Sequence, residues 1–185
     1  MIKRLMTFLM LLLPAGCTGI PEGLTVVEDF SLDRYLGTWY EIARIENSFE
    51  KNFEEVSATY SLKENGTVRV LNSGFDTEKN RWKRVEGKAK FVGESDRGAL
   101  KVSFFGPFYA GYNILALDRD NYSWAIVSGH KRSLFWILAK TPEIEPSLLA
   151  ELTAKAGTMG FETDTLHYVR QSAGEDERNK ARQGD

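Results

Sequence analysis

Side chains able to act as acids, bases or nucleophiles are sparse in this chain of 185 residues, which holds two histidines and one cysteine. A histidine becomes a general base only beside an orienting partner and within reach of the proton it takes. His130 falls in a predicted turn and His167 in a predicted edge strand, and neither has an evident acid or nucleophile partner. No Cys/His cluster shows metal-ligand spacing, and no glycine-rich loop is built to cradle phosphate. The pattern predicts no catalytic residue, no metal site and no cofactor.

Richer chemistry lies in residues that bind by excluding water. Tyr60, Phe91, Val102, Phe104, Tyr112, Ile114, Trp136 and Leu138 fall at alternate positions within short runs, the spacing that puts side chains on one face of a strand. Gathered inside a closed sheet, they would line a cavity for an acyl chain or a similarly lean apolar molecule, at about 0.8 kcal/mol per buried methylene. The same alternation also describes a barrel whose side chains meet in the middle.

Short strands at regular spacing are needed to hold such a face. Val56, Ala58, Tyr60 and Leu62 alternate with Ser57, Thr59, Ser61 and Lys63, and Asn65-Gly66 then makes a hairpin turn. Val85, Gly87, Ala89 and Phe91 oppose Arg84, Glu86, Lys88 and Lys90, with Gly87 and Ala89 expected to leave space inside. The sets Leu100, Val102 and Phe104; Tyr112, Ile114 and Ala116; Trp124 and Ile126; and Leu134, Trp136 and Leu138 are placed inward on the same reasoning. With the strand after Gly37 these make eight, which predicts an all-β fold, an antiparallel up-and-down barrel. Gly37 permits a tight backbone approach where the chain enters one end, and Trp39 plugs the taper there. From Pro146 the period turns helical, predicting one helix packed outside the barrel, and Thr165 to Arg170 reads as a short final strand.

If Trp39 marks the closed end, alternate connections form the mouth. They carry Lys51, Arg81, Lys131 and Arg132, a basic rim suited to an anionic head group, interleaved with Glu46, Glu50, Asp76 and Glu78. The same end holds Phe104-Phe105-Gly106-Pro107-Phe108-Tyr109, four aromatics around a Gly-Pro turn. Such a patch could gate the cavity, touch lipid or pack against a second copy in a homodimer.

Residues 1–16 place Lys3 and Arg4 ahead of an apolar run ending in small residues, which reads as a secretory signal. Its end, Leu13-Pro14-Ala15-Gly16-Cys17, resembles a bacterial lipobox, in which the cysteine becomes the lipid-bearing first residue. Cys17 is the only cysteine, so no internal disulfide is available. Thr18 after it resembles the pattern of lipoproteins sorted to the outer membrane. Residues 17–29 read as a tether and 171–185 as a charged tail expected to be disordered. Without Lys3 and Arg4 the basic count falls from 24 to 22 against 26 acids, a formal charge of −4, which argues against a nucleic-acid partner.

Gly37-Thr38-Trp39-Tyr40, Gly106-Pro107-Phe108, Leu117-Asp118-Arg119-Asp120-Asn121-Tyr122 and Trp136-Ile137-Leu138-Ala139-Lys140-Thr141-Pro142, in that order, resemble the lipocalin family, above all its bacterial outer-membrane lipoproteins. The similarity runs from about Phe30 to Arg170. It implies that Gly37, Trp39, Asp118, Tyr122 and the cation at position 140 are structural motif residues. The family usually has an arginine packed over the motif tryptophan where this chain has Lys140, which keeps the charge and loses the planar stack. The resemblance also implies a carrier that binds, stores or transports fatty acids or lysophospholipids in the cell envelope, anchored to the outer membrane with its barrel in the periplasm. The alternatives are a carrier of a tetrapyrrole or sterol-like ligand, and a lipoprotein working only through protein partners.

Overall fold

The computed structural model of the chain describes residues 18–48 and 50–171. The signal segment, Cys17 and the charged tail from 172 onward lie outside the described residues. A helical turn, α1 (Leu32–Tyr35), leads into β1 (Gly37–Ile45), β2 (Phe53–Leu62), β3 (Val68–Asp76), β4 (Arg81–Phe91), β5 (Ala99–Ser103), β6 (Ala110–Leu117), β7 (Trp124–Ser128) and β8 (Phe135–Ala139). The helix α2 (Pro146–Thr158), a 3-10 turn at Thr163–Thr165 and β9 (Leu166–Tyr168) follow. Each of the eight strands pairs antiparallel with the next, and β1 pairs with both β8 and β2, so the sheet closes on itself. Closure leaves no free edge in the barrel. The short β9 adds to β1 beyond the point where β2 departs, opposite Ala43, Arg44 and Ile45.

Two apolar cores result. One fills the barrel and includes Trp39, Tyr60, Val70, Ala89, Leu100, Val102, Ile114, Val127 and Leu138. The other lies between the wall and α2, where Leu152 and Ala156 meet Ile126, Phe135 and Ile137. Because β7 and β8 are covered on both sides, their sequences are apolar on both faces, and alternation carries no contrast there. Trp124 and Ile126, expected inside, therefore belong to the outer core, and Ala125 and Val127 take the inner positions. Ala116 is also outside, because a bulge between Ile114 and Ala116 shifts the register by one and returns Leu117 to the interior. Leu134 precedes β8 and packs over Gly129. At Gly87 a Cβ would lie 2.7 Å from the Phe104 ring, so Phe104 occupies the space that this glycine was expected to leave open.

The expected tether is instead docked on the wall. Val27 donates to the Ile114 carbonyl at 2.9 Å and accepts from Gly98 at 2.8 Å, Phe30 donates to the Asp96 carbonyl, and Val26 and Val27 are buried. The Asn113 amide donates to Gly19 O at 3.0 Å. Residues 18–26 thus run down the outside of the barrel from the mouth toward the closed end, where Val27 and Phe30 join the inner core.

Candidate functional site

The closed end is built around Trp39, fully buried, whose indole Nε1 donates to Tyr35 O at 2.7 Å and whose ring stacks on Tyr35 at 4.4 Å. Asp118 fastens the β6–β7 turn beneath. Burial alone would raise its carboxyl, yet bonds from the Asp120, Asn121 and Ser123 amides and the Ser123 hydroxyl hold it below the usual value. Tyr122, with φ 54°, accepts from Ser31 N through its hydroxyl and carries the Arg34 guanidinium 4.1 Å over its ring. The motif residues therefore act together to brace α1 as a stopper.

Lys140 places its ammonium 4.4 Å from the Trp39 ring centroid and donates to the carbonyls of Tyr35 and Leu36. Burial lowers its pKa to about 8. An unfolded lysine titrates near 10.4, so between these values the unfolded chain binds more protons and stability rises with pH; below about 8 both forms are charged and the slope vanishes. Urea titrations across this window should show the rise. Lys140→Arg, always charged, should abolish it and gain about 0.5–1 kcal/mol from a planar stack on Trp39.

Inside, the structure gathers all eight predicted lining residues into one cluster: Tyr60, Val102, Ile114 and Leu138 are buried, and Phe91, Phe104, Tyr112 and Trp136 pack against them partly exposed. Phe91 sits low, 6.2 Å edge-on to Phe30. Deep in the barrel three phenols join: Tyr60 donates to the Tyr112 hydroxyl at 2.9 Å, and Tyr112 and Tyr35 share a bond of 2.7 Å. Burial raises all three well above the ordinary tyrosine value, so they stay neutral. Toward the mouth, inward-facing Ala58, Phe104 and Trp136 are only partly buried, as is Tyr112, whose ring starts near the mouth end of β6 and reaches down to the phenol cluster. Asn72, across from Ala58, turns a buried amide oxygen without a partner into the same wall.

A polar group that alternation misses roofs this wall. Glu41 and Arg44 face Leu138 and Trp136 across β8, both nearly inaccessible, with Arg44 Nη1 donating to Glu41 Oε1 at 2.9 Å. Arg44 Nη2 donates to the carbonyls of Glu50 and Phe53, and Trp136 Nε1 donates to Glu50 Oε2 at 2.9 Å. Burial first, then the Glu50 charge, push the Glu41 carboxyl up against the opposing pull of Arg44. This network pins the β1–β2 loop over the rim beside Trp136.

The predicted basic rim is only partly assembled. Lys51, Arg81 and Lys131 stand exposed among the mouth loops. Arg132 does not face the mouth: its guanidinium donates to Met159 O past the end of α2 and to Glu22 O of the docked amino-terminal segment, because those carbonyls lie beside it on the outer wall. The two histidines lie apart. His167 pairs with Glu54 at 3.0 Å, a partner that sequence did not reveal, and this contact ties β9 to β2. Among the described residues no group of His, Cys, Asp or Glu is arranged to hold a metal.

Residues 30–171 match the lipocalin-like domain. The chain is 47% identical over 156 residues to the outer membrane lipoprotein Blc of Vibrio cholerae, covering 84% of this chain and 91% of that one. It is 49% identical over 151 residues to the Blc lipoprotein of Escherichia coli, covering 82% and 85%. Insecticyanin from the tobacco hornworm shares the fold at a TM-score of 0.67 and 20% identity, over 85% of this chain and 88% of that one. With the stopper, the closed barrel and a matched domain over residues 30–171, the chain belongs to the lipocalin family, and like its Blc relatives it is a binding protein and not an enzyme.

Proposed function

We propose that this lipocalin is held in the outer membrane through acylated Cys17, with its barrel in the periplasm, and that it binds a single-chain lipid, a fatty acid or lysophospholipid. One observation carries the ligand reading. Ala58, Phe104, Tyr112 and Trp136 face inward yet are only partly buried, whereas the wall below them is largely buried. An apolar wall open at one end suits an alkyl chain that enters tail first and leaves its head at the rim. Burying ten methylenes would contribute about 8 kcal/mol before the costs of association. The rim charges of both signs, Lys51, Arg81 and Lys131 beside Glu46 and Glu78, suit a zwitterionic head as well as an anionic one. The anchor reading rests on the signal and Cys17, and the relatives described as outer membrane lipoproteins support it.

Native mass spectrometry with lipid extraction, on residues 18–185, tests the ligand. A co-purified fatty acid or lysophospholipid is expected, with affinity falling about tenfold or more in Trp136→Ala or Tyr112→Ala. A tetrapyrrole or sterol-like extract would replace the ligand class, and an empty barrel that takes up no added fatty acid would favour a role through protein partners.

A further inference from the structure

Phe105 and Phe108 are 78% and 79% exposed, more than any other large apolar side chain among the described residues. They flank the Gly106-Pro107 tip between β5 and β6, in a turn closed by Phe108 N donating to Phe105 O at 3.2 Å. Lys101 lies 5.3 Å from the Tyr109 ring centroid and steadies the same turn. The turn is thus ordered while both rings point into solvent, where they have no packing role.

A second observation concerns where the chain begins. Thr18 and Gly19 cross Gly111, the second residue of β6, so closely that a Cβ there would meet Thr18 Cα and Gly19 O at 3.2 Å. Gly111 is three residues from Phe108, about 10 Å of extended chain. Cys17 lies one Cα step, about 3.8 Å, beyond Thr18. Because Gly19, Glu22, Val27 and Phe30 are each hydrogen-bonded to the barrel, little slack remains to carry it away from its lipid.

We infer that the protein sits mouth-down on the bilayer that holds its anchor, with Phe105 and Phe108 inserted among the lipids. The inference rests on the Cys17 anchor proposed above. Anchor and rings leave the barrel at the same end, so a membrane that receives one receives the other. Exposed rim charges have both signs, Lys51, Arg81 and Lys131 against Glu46 and Glu78, so apolar insertion and not attraction to anionic lipid supplies the hold, and salt changes it little. Ligand then passes between bilayer and barrel without crossing bulk water.

The full acylated protein, reconstituted in phosphatidylethanolamine and phosphatidylglycerol vesicles, provides the test. Acylation consumes the only native thiol, so Phe108→Cys and, at the closed end, Asn65→Cys each give a unique site for a nitroxide. The label at 108 should collide with membrane-dissolved oxygen and be shielded from a water-soluble nickel chelate, and the label at 65 should show the reverse. Equal exposure to water at both sites overturns the inference. So does shielding at 108 that persists in residues 18–185 without vesicles and vanishes on dilution, which marks a second copy seated on the turn. The double variant Phe105→Asp/Phe108→Asp should keep fatty-acid affinity in solution and slow transfer from vesicles by about tenfold or more. Lost affinity in solution would make the rings part of the cavity and overturn the inference. The mass of the membrane-extracted protein reports the anchor separately, and absence of any fatty-acid uptake would sink the ligand reading while the nitroxides still decide orientation.

Discussion

Replacing Arg44 with methionine should cost about 3–5 kcal/mol of folding stability, the penalty for leaving a buried charge without its partner. Arg44 is fully buried, Glu41 is 3% exposed, and their side chains meet at 2.9 Å inside the barrel. Without the guanidinium, Glu41 either ionises alone in an apolar wall or takes up a proton. Its carboxyl is already raised in the folded protein by burial and the Glu50 charge, so folding binds a proton, and stability falls as pH climbs from the unfolded carboxylate value to the folded one. Arg44→Met raises the folded value further, so the loss deepens from acid toward neutral pH. Urea unfolding at several pH values measures this directly. The double variant Glu41→Leu/Arg44→Met removes both charges and should recover most of the loss. About 1–2 kcal/mol should remain, because the Glu50 and Phe53 carbonyls lose their donor. A single-variant loss below about 1 kcal/mol would mean that the pair is solvated.

This pair also marks where sequence reading stops. Glu41 and Arg44 are three apart, so strict alternation puts them on opposite faces of a strand. A bulge between Glu41 and Ala43 resets the phase and turns both inward. Another bulge, at Leu115, is what sends Ala116 outward in β6. Neither has a residue signature to announce it. The strands from β2 to β4 are legible because one face is solvated, and polar residues there oppose apolar ones. Where α2 and the docked amino-terminal segment cover the wall, both faces are apolar and the phase is lost. That segment misleads for a related reason: Pro21 and Gly23 look like a tether, and the few buried contacts that dock it, Val26 and Val27 among them, are too few to show a period. The eight residues expected to line the interior do share the inner cluster, but residue type alone does not ensure this, since Trp124 and Ile126, expected inward on the same grounds, lie outside. The direction taken by Arg132 was not readable either, since a long cation beside a turn reaches either side.

Trp39→Ala should cost a similar amount, about 3–5 kcal/mol, since a fully buried indole leaves a cavity that the stopper cannot fill. The indole also holds Tyr35 by a stack and by its bond to Tyr35 O, and Tyr35 in turn meets the Tyr112 hydroxyl inside the barrel. Loss of Trp39 should therefore reach the binding wall, with bound lipid leaving faster than from the intact protein at the same temperature. Trp39→Phe keeps a ring and should cost less, because Lys140 still donates to Tyr35 O at 3.3 Å. A double-mutant cycle with Lys140→Met separates ring from carbonyl. If the ammonium is held by the indole face, the coupling should be about 0.5–2 kcal/mol, the range for a partly desolvated cation over tryptophan. A coupling near zero would show that the carbonyls of Tyr35 and Leu36 alone hold Lys140 in place, and that the family's arginine would gain nothing here from its flat face.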